Sequence, residues 1–360
     1  MTAHNILICM HDFSRGGTER IAIGLSANWA AAGREVTILC GNEQGGLRDM
    51  VDPRVKVVAV TPAIRRGWLS RWRLGRAMAR HLEKLKPDVI FLPGNFHLLL
   101  APALARAGAA IVLKVSNPPL PQGQSNAIGR FLFRRWARAV DGFAALTAGF
   151  AREVAELAPG KPVRLLHDPV YLHASSAQRV APSTVWRILW AGRLEPQKDF
   201  ALALQTLAAL ARPAHLTMLG DGSLRREADA MIARLGLADR VTCAGHVPNI
   251  DPYLADADVL LMTSHYEGQP AVVGEALANG VPVVSTNCST ALYEIMEIPE
   301  AGKIVGTRDP ADLAAALAAV CNAPRPTREV LARLVAPFEP RHCAKAYLDW
   351  FDALRKSGNG

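Results

Sequence analysis

Short apolar runs alternate with stretches of helical periodicity along almost the whole chain, and this alternation limits the fold more than any other feature. In the first half the runs fall at 5–10, 35–40, 55–60, 88–92, 110–115, 142–147 and 163–166, with helical patterns at 18–32, 70–86 and 126–139 between them. In the second half they fall at 186–192, 215–219, 240–244, 258–263, 282–285 and 303–306, with helices expected at 199–210, 223–235, 270–279, 310–321 and 341–355. A strand followed by a helix and another strand makes a right-handed crossover, and repeated crossovers make a parallel sheet covered on both faces. The rhythm pauses at 171–185, a stretch with Ser175, Ser176, Pro182 and Ser183 and no period, which reads as a linker. The expected fold class is therefore α/β. Two Rossmann-like, doubly wound parallel-sheet domains, 1–170 and 186–340, face each other across a cleft, and a last helix lies in 341–360.

Composition narrows the function classes. Half of the 360 residues are hydrophobic and 20% are charged, which suits buried cores and excludes a disordered chain. The six cysteines stand singly, with no C-x-x-C pair, so zinc or dithiol chemistry is not expected and a reduced, cytoplasmic chain is. The start, Met1 to Asn5, runs directly into an apolar strand and does not read as a secretory signal. No apolar run reaches the roughly 20 residues of a membrane-spanning helix. Charge is uneven: residues 1–180 hold 24 Lys and Arg against 12 Asp and Glu, whereas 181–360 hold 17 against 20. A basic half beside a mildly acidic half implies domains with different partners.

Three motifs carry chemistry, each where an expected strand ends and a helix begins. Gly16-Gly17-Thr18-Glu19-Arg20 lets the backbone come close to an anion at a helix start. It fits neither the dinucleotide nor the P-loop spacing, which argues against a nicotinamide cofactor. Gly192-Arg193-Leu194-Glu195-Pro196-Gln197-Lys198 sets an Arg fork and a Lys point charge five residues apart around a proline turn, able to converge on one dianion. In the third, Glu267 lies on a loop, Pro270 suits the first helical position, Gly280 suits the stop, and Glu275 stands about 7 Å along the helix. Two carboxylates flanking free N–H groups at Ala271 and Val272 suit a long ligand with a central diphosphate. Asp256-Ala257-Asp258 reads as a helix-to-strand junction rather than a metal-binding pair, and no metal site is expected.

Glu267 and Glu275 stand in E-G-x-P…E-A-L-A-x-G-x-P-V-V, completed by Val281-Pro282-Val283-Val284. With Gly192-Arg193-Leu194…Lys198-Asp199, Gly220-Asp221-Gly222 and the N-terminal G-G-x-E-R loop, the chain resembles retaining glycosyltransferases of the GT-B fold, family four (group 1). The resemblance implies that Arg193 and Lys198 neutralise a donor diphosphate, that Glu275 holds the ribose and that Glu267 contacts the transferred sugar. Backbone groups at Gln269, Pro270, Ala271 and Val272 would line the pocket, Gly17 would close from the first domain, and the base would stack near His246. The C-terminal helix, 341–360, would cross back to the first domain. The chain departs from the pattern at Gln269, where a bulky apolar residue is usual. It departs again at Ser116-Asn117-Pro118, where a histidine is usual, leaving His11 and His97 as spare candidates.

Two basic stripes remain in the first half: Arg73, Arg76, Arg80 and Lys84, with Trp68 and Trp72 beside them, and Arg130, Arg134 and Arg138. They read either as solvated helix faces or as a docking face for an anionic bilayer, and no nucleic-acid module accompanies them. The whole implies a metal-independent hexosyltransferase with no cofactor, its substrate a nucleotide-diphosphate sugar with UDP favoured. It would act on a glycan or lipid-linked acceptor in surface polysaccharide or lipopolysaccharide assembly. It would work in the cytoplasm, on the inner face of the membrane if the stripes dock there. A nucleotide-sugar epimerase of the same fold and a non-catalytic nucleotide-binding subunit stay open beside it.

Overall fold

The structure is a computed structural model that describes residues 2–14, 16–67, 70–105, 108–120, 127–171 and 184–357. The chain forms two compact units, Met1–Pro169 together with Phe338–Gly360, and Val170–Pro337. Most of the expected linker, 172–183, and Trp68 lie outside the described residues.

The first unit holds seven strands: β1 (Asn5–Met10), β2 (Glu35–Cys40), β3 (Lys56–Ala59), β4 (Val89–Leu92), β5 (Ala110–Val115), β6 (Gly142–Ala145) and β7 (Val163–Leu165). They pair in the order β3-β2-β1-β4-β5-β6-β7, every pair parallel. The central strands are buried end to end, as a sheet covered on both faces requires. The second unit holds β8 (Trp186–Ala191), β9 (Ala214–Leu219), β10 (Val241–Gly245), β11 (Val259–Met262), β12 (Val283–Thr286) and β13 (Gly302–Val305) in the parallel order β10-β9-β8-β11-β12-β13. Each sheet thus changes winding direction once, between β1 and β4 and between β8 and β11, which is where doubly wound sheets open a crevice at the strands' carboxyl ends.

The helix Pro340–Ser357 belongs to the first unit. Its Tyr347 and Phe351 are fully buried with Trp29 and Phe91, ring centroids 5.2 to 6.1 Å apart. The Trp29 indole donates to the Ala344 carbonyl at 3.1 Å, and Arg34 pairs with Asp352 at 3.0 Å. Burying each ring contributes about 1.5–3 kcal/mol, so the helix is held by packing first and by polar contacts at its rim second.

Two helix expectations need correction. The pattern 70–86 is not one helix: Ser70–Ala79 ends, and a single turn, Leu82–Leu85, follows. Arg80 and His81 donate to the carbonyls three residues back, tightening the turn, and Lys86 then adopts φ +41°, which ends the second piece. Pro270 is the residue before its helix, Ala271–Ala278, not its first member. Its ψ of 101° is extended, while its carbonyl accepts the first helical bond from Val273. The sequence pattern does not mark the helices Ala148–Leu157, Ala291–Ile295 and Arg328–Val335, and it marks Asp251–Asp256 only at its end, as the helix-to-strand junction at Asp256–Asp258.

Candidate active site

In the second unit, the loops after β8 and β11 meet where the sheet changes direction. The first, Gly192–Asp199, carries the cations, and its course depends on glycines across from it. A Cβ on Gly192 would meet the Lys198 side chain at 3.1 Å, and Gly220, at φ +118°, lies against the Gly192 carbonyl, where no side chain fits. The Leu194 N–H donates to the Asp221 carbonyl at 3.0 Å, and Ser223 donates through N–H and hydroxyl to the Glu195 carboxylate at 3.1 and 3.0 Å. The loop after β9 therefore braces the loop after β8. The N–H of Gly220 also donates to the Gly245 carbonyl at 2.7 Å, which fastens the loop after β10, bearing exposed His246, to the same brace.

The loop after β11 brings in Glu267. Its carboxylate Oε1 lies 2.5 Å from Lys198 Nζ and accepts from the Ser264 hydroxyl at 2.7 Å. Its own N–H donates to the Cys288 carbonyl at 2.8 Å, and Ser289 hydrogen-bonds the Gly268 carbonyl, so the loop after β12 supports it from behind. Gln197 donates to the Tyr266 carbonyl at 2.9 Å and accepts, through its own carbonyl, from His265 N–H at 2.8 Å. Oε2 of Glu267 makes no hydrogen bond among the described residues. An ammonium has three donors, so Lys198 keeps donors beyond the one that Glu267 takes.

Arg193 is exposed and makes no ion pair among the described residues. Ala271 and Val272 open the eight-residue helix Ala271–Ala278, where the first N–H groups have no carbonyl within the helix to donate to. Glu275 is half-buried on its second turn, and Gly280, at φ +75°, ends it. Gln269 and Pro270 form the approach. The structure thus joins Lys198 to Glu267 directly and puts Arg193, His246 and Glu275 on the same carboxyl edge of the sheet. Asp256 and Asp258 both face Arg187, at 3.0 Å each, so these carboxylates serve an ion pair. Among the described residues no cluster of three His, Cys, Asp or Glu could hold a metal ion.

Arg308, which follows β13, went unnoticed in the sequence. It donates to the Asp199 carboxylate at 2.5 Å and to the carbonyls of Thr263 and Ser264 at 2.8 and 3.0 Å. Asp199, held at φ +46°, accepts from Leu202 N–H and so caps the next helix. One guanidinium thus ties the cation-bearing loop to the loop of Glu267. No spacing signals it, since Arg308 stands 41 positions after Glu267 and 110 after Lys198.

The first unit has its own cluster at its winding change. Gly17 is exposed at the start of helix Gly17–Ala31, and a Cβ on neighbouring Gly16 would collide with the Glu19 carboxylate. Arg66 forks to Asp12 at 2.7 and 2.9 Å and to Glu19 at 2.7 Å. Burial raises the Asp12 pKa, but the Arg66 and Ser14 hydrogen bonds outweigh it and bring the carboxyl down to about 2. His11 reaches Ser70 at 3.2 Å, and burial lowers its pKa. Burial pushes His97 lower still, to about 4. Asn95 accepts from the Ser116 N–H at 3.0 Å, while Asp168 pairs with the buried Lys114 at 2.6 Å.

Both halves match known families. Residues 16–169 match the glycosyl transferase 4-like domain, and residues 186–323 match glycosyl transferases group 1. The chain belongs to the group 1 glycosyltransferases. It is 29% identical over 236 residues to the lipopolysaccharide core biosynthesis glycosyltransferase LpsE of Rhizobium meliloti, covering 61% of this chain and 67% of that protein. It is 24% identical to LpsD of the same organism over 95% of this chain and 97% of that one. The fold matches Anabaena HepE, solved in complex with UDP-glucose, with a TM-score of 0.76 over 98% of this chain and 99% of that one at 17% identity. The transferase therefore has the GT-B architecture that its two parallel sheets display. No helix among the described residues is long and apolar enough to cross a membrane.

Proposed function

We propose that the transferase moves a hexose-type sugar from a nucleotide-diphosphate sugar to a glycan or lipid-linked acceptor, with retention at the anomeric carbon and without a metal ion. One observation carries the reading: the Lys198–Glu267 pair, 2.5 Å apart, stands at the winding change of the second sheet with exposed Arg193 on the same loop. A departing diphosphate develops negative charge as the sugar–oxygen bond breaks. Arg193, the spare donors of Lys198 and the N–H groups at Ala271 and Val272 supply fixed positive charge for it, which is the stabilisation a metal ion would otherwise provide. Glu267 turns a lone-pair face to the sugar, and Glu275 is left to the ribose. Attack from the side that the leaving group vacates needs positioning more than a strong base.

The bound UDP-glucose of HepE favours UDP as the nucleotide, and the names of LpsE and LpsD favour a lipopolysaccharide or surface-polysaccharide acceptor. All six cysteines are free thiols, in keeping with a reducing, cytoplasmic setting. A thermal-shift series with UDP, GDP, ADP and their sugars tests the donor: the matching ligand at 100 times its Kd should add about 2.7 kcal/mol of stability. No shift with any of them would defeat the reading. The anomeric configuration of the product, read by proton coupling, decides retention, and transfer in excess chelator decides the metal.

A further inference from the structure

The two basic stripes meet at a cavity of about 1410 Å³ in the first unit, walled by Trp72 and Trp136. Arg76, Arg80, Lys86, Arg135 and Arg138 line it, with Glu83 the one carboxylate among the lining residues. None of the five cations has an ion-pair partner among the described residues, and all five are exposed. Such an excess of uncompensated charge around one hollow has no internal use. The lining also has an apolar part, Leu82, Leu99, Pro102 and Ala103, of which Leu82 is buried.

Its place in the fold separates it from the transfer site. Arg80 and Lys86 stand in the segment leading into β4, and Arg138 leads into β6, so the cavity opens at the amino ends of the strands. Sugar donors and acceptors of doubly wound sheets sit at the carboxyl ends. The surrounding surface is also unusual. Trp72 is 55% exposed on the helix Ser70–Ala79, and Phe131 and Ile128 are 64% and 71% exposed on the helix Ala127–Ala137, beside Arg134 and Arg135. The Arg76 guanidinium lies 3.6 Å from the Trp72 ring centroid. Exposed indole and phenyl rings next to unpaired cations suit the boundary between lipid headgroups and acyl chains, where an aromatic ring and a guanidinium are both at home.

We propose that this cavity is a lipid-phosphate pocket. The phosphate of an anionic headgroup sits among Arg76, Arg80 and Arg138, the first methylenes of the tail lie on the apolar part of the lining, and Trp72 and Phe131 enter the bilayer boundary. The amino ends of the first sheet then face the bilayer, and anchoring is independent of sugar transfer.

Flotation of the full chain with vesicles tests this. Phosphatidylglycerol mixed into phosphatidylcholine should carry the protein upward, pure phosphatidylcholine should not, and raised salt should weaken the binding. The variant R76Q/R80Q/R138Q should lose roughly a hundredfold in partitioning, and Trp72→Ala alone should lose severalfold, while the thermal shift produced by nucleotide stays unchanged in both. That unchanged shift also shows the variants folded. Equal binding to both vesicle types, or undiminished binding by the triple variant, overturns the proposal. So does a thermal shift with inorganic pyrophosphate that depends on these arginines while vesicles are ignored, since that makes the cavity a site for soluble anions.

Discussion

Lys198 Nζ lies 2.5 Å from Glu267 Oε1, although the two residues are 69 positions apart and stand on loops from different strands. The side chains are largely covered, at 21% and 11% exposure, so the pair sits in a medium where charge counts for more than at the surface. Removing Glu267 leaves Lys198 poorly solvated without its ion-pair partner, and removing Lys198 leaves the Glu267 carboxylate with only the Ser264 hydroxyl as a side-chain donor among the described residues.

Lys198→Ala should therefore weaken nucleotide-diphosphate binding and transfer together, by about ten- to a hundredfold, since hydrogen bonds to charged groups are worth about 1.5–3 kcal/mol. Calorimetric titration with the nucleotide measures the first and initial rates measure the second. A double-mutant cycle with Glu267→Gln should be strongly non-additive because the two groups are in contact.

The two glutamates should separate by readout. Glu275→Ala should weaken binding of the free nucleotide, while Glu267→Ala should leave the nucleotide Kd within a few-fold of the parent and lower kcat. The same titration and the same rate assay decide both, and matching losses in the two variants would contradict the division of roles.

Arg308→Ala should lower kcat/KM by roughly tenfold or more without removing any group that touches substrate, because three acceptors on two loops lose a charged donor. Arg308→Lys should restore part of the loss. A residue that served only stability would instead move the melting temperature and leave kcat/KM of the folded fraction unchanged.

His97 supplies a pH dependence in the first unit. Burial lowers its pKa from 6.5 to about 4, so between these values the unfolded chain binds a proton that the folded chain refuses. Stability is then fully present above pH 6.5 and is lost as pH falls, by about 2 kcal/mol at pH 5. Asp12 does not confuse the result, because its contribution is lost only as pH falls from 3.8 toward about 2. Urea unfolding at pH 7 and pH 5 measures the difference; His97→Phe should reduce it by about that 2 kcal/mol, and what is left falls in the same direction to His11, whose pKa burial also lowers.

Much of the architecture is legible because burial on two faces leaves a mark on each strand by itself. Ile6-Leu7-Ile8 and Val259-Leu260-Leu261 are continuous apolar runs, and all thirteen strands fall within a residue or two of such runs. Short helices are less legible. Asp251–Asp256 and Ala291–Ile295 span too few turns to show a period, and the break at Arg80 and His81 carries no breaker residue, while Leu74, Met78 and Leu82 keep the spacing of one helix face and still reach one core.

The amino-acid sequence by itself determined the strand–helix alternation, the motif loops at strand ends and the basic character of the first half, since each is written in residues close together along the chain. Tertiary structure alone decided which loops meet. Winding order makes β8 and β11 neighbours, and from that adjacency comes the contact of Lys198 with Glu267; Arg308, after β13, reaches across to Asp199, and in the other unit Arg66, after β3, forks to Asp12 and Glu19, after β1. Helix packing likewise gathered Arg76, Arg80 and Arg138 from two separate stripes around one cavity. These contacts join residues tens of positions apart, and their energy depends on distances that only the packed sheets and helices set.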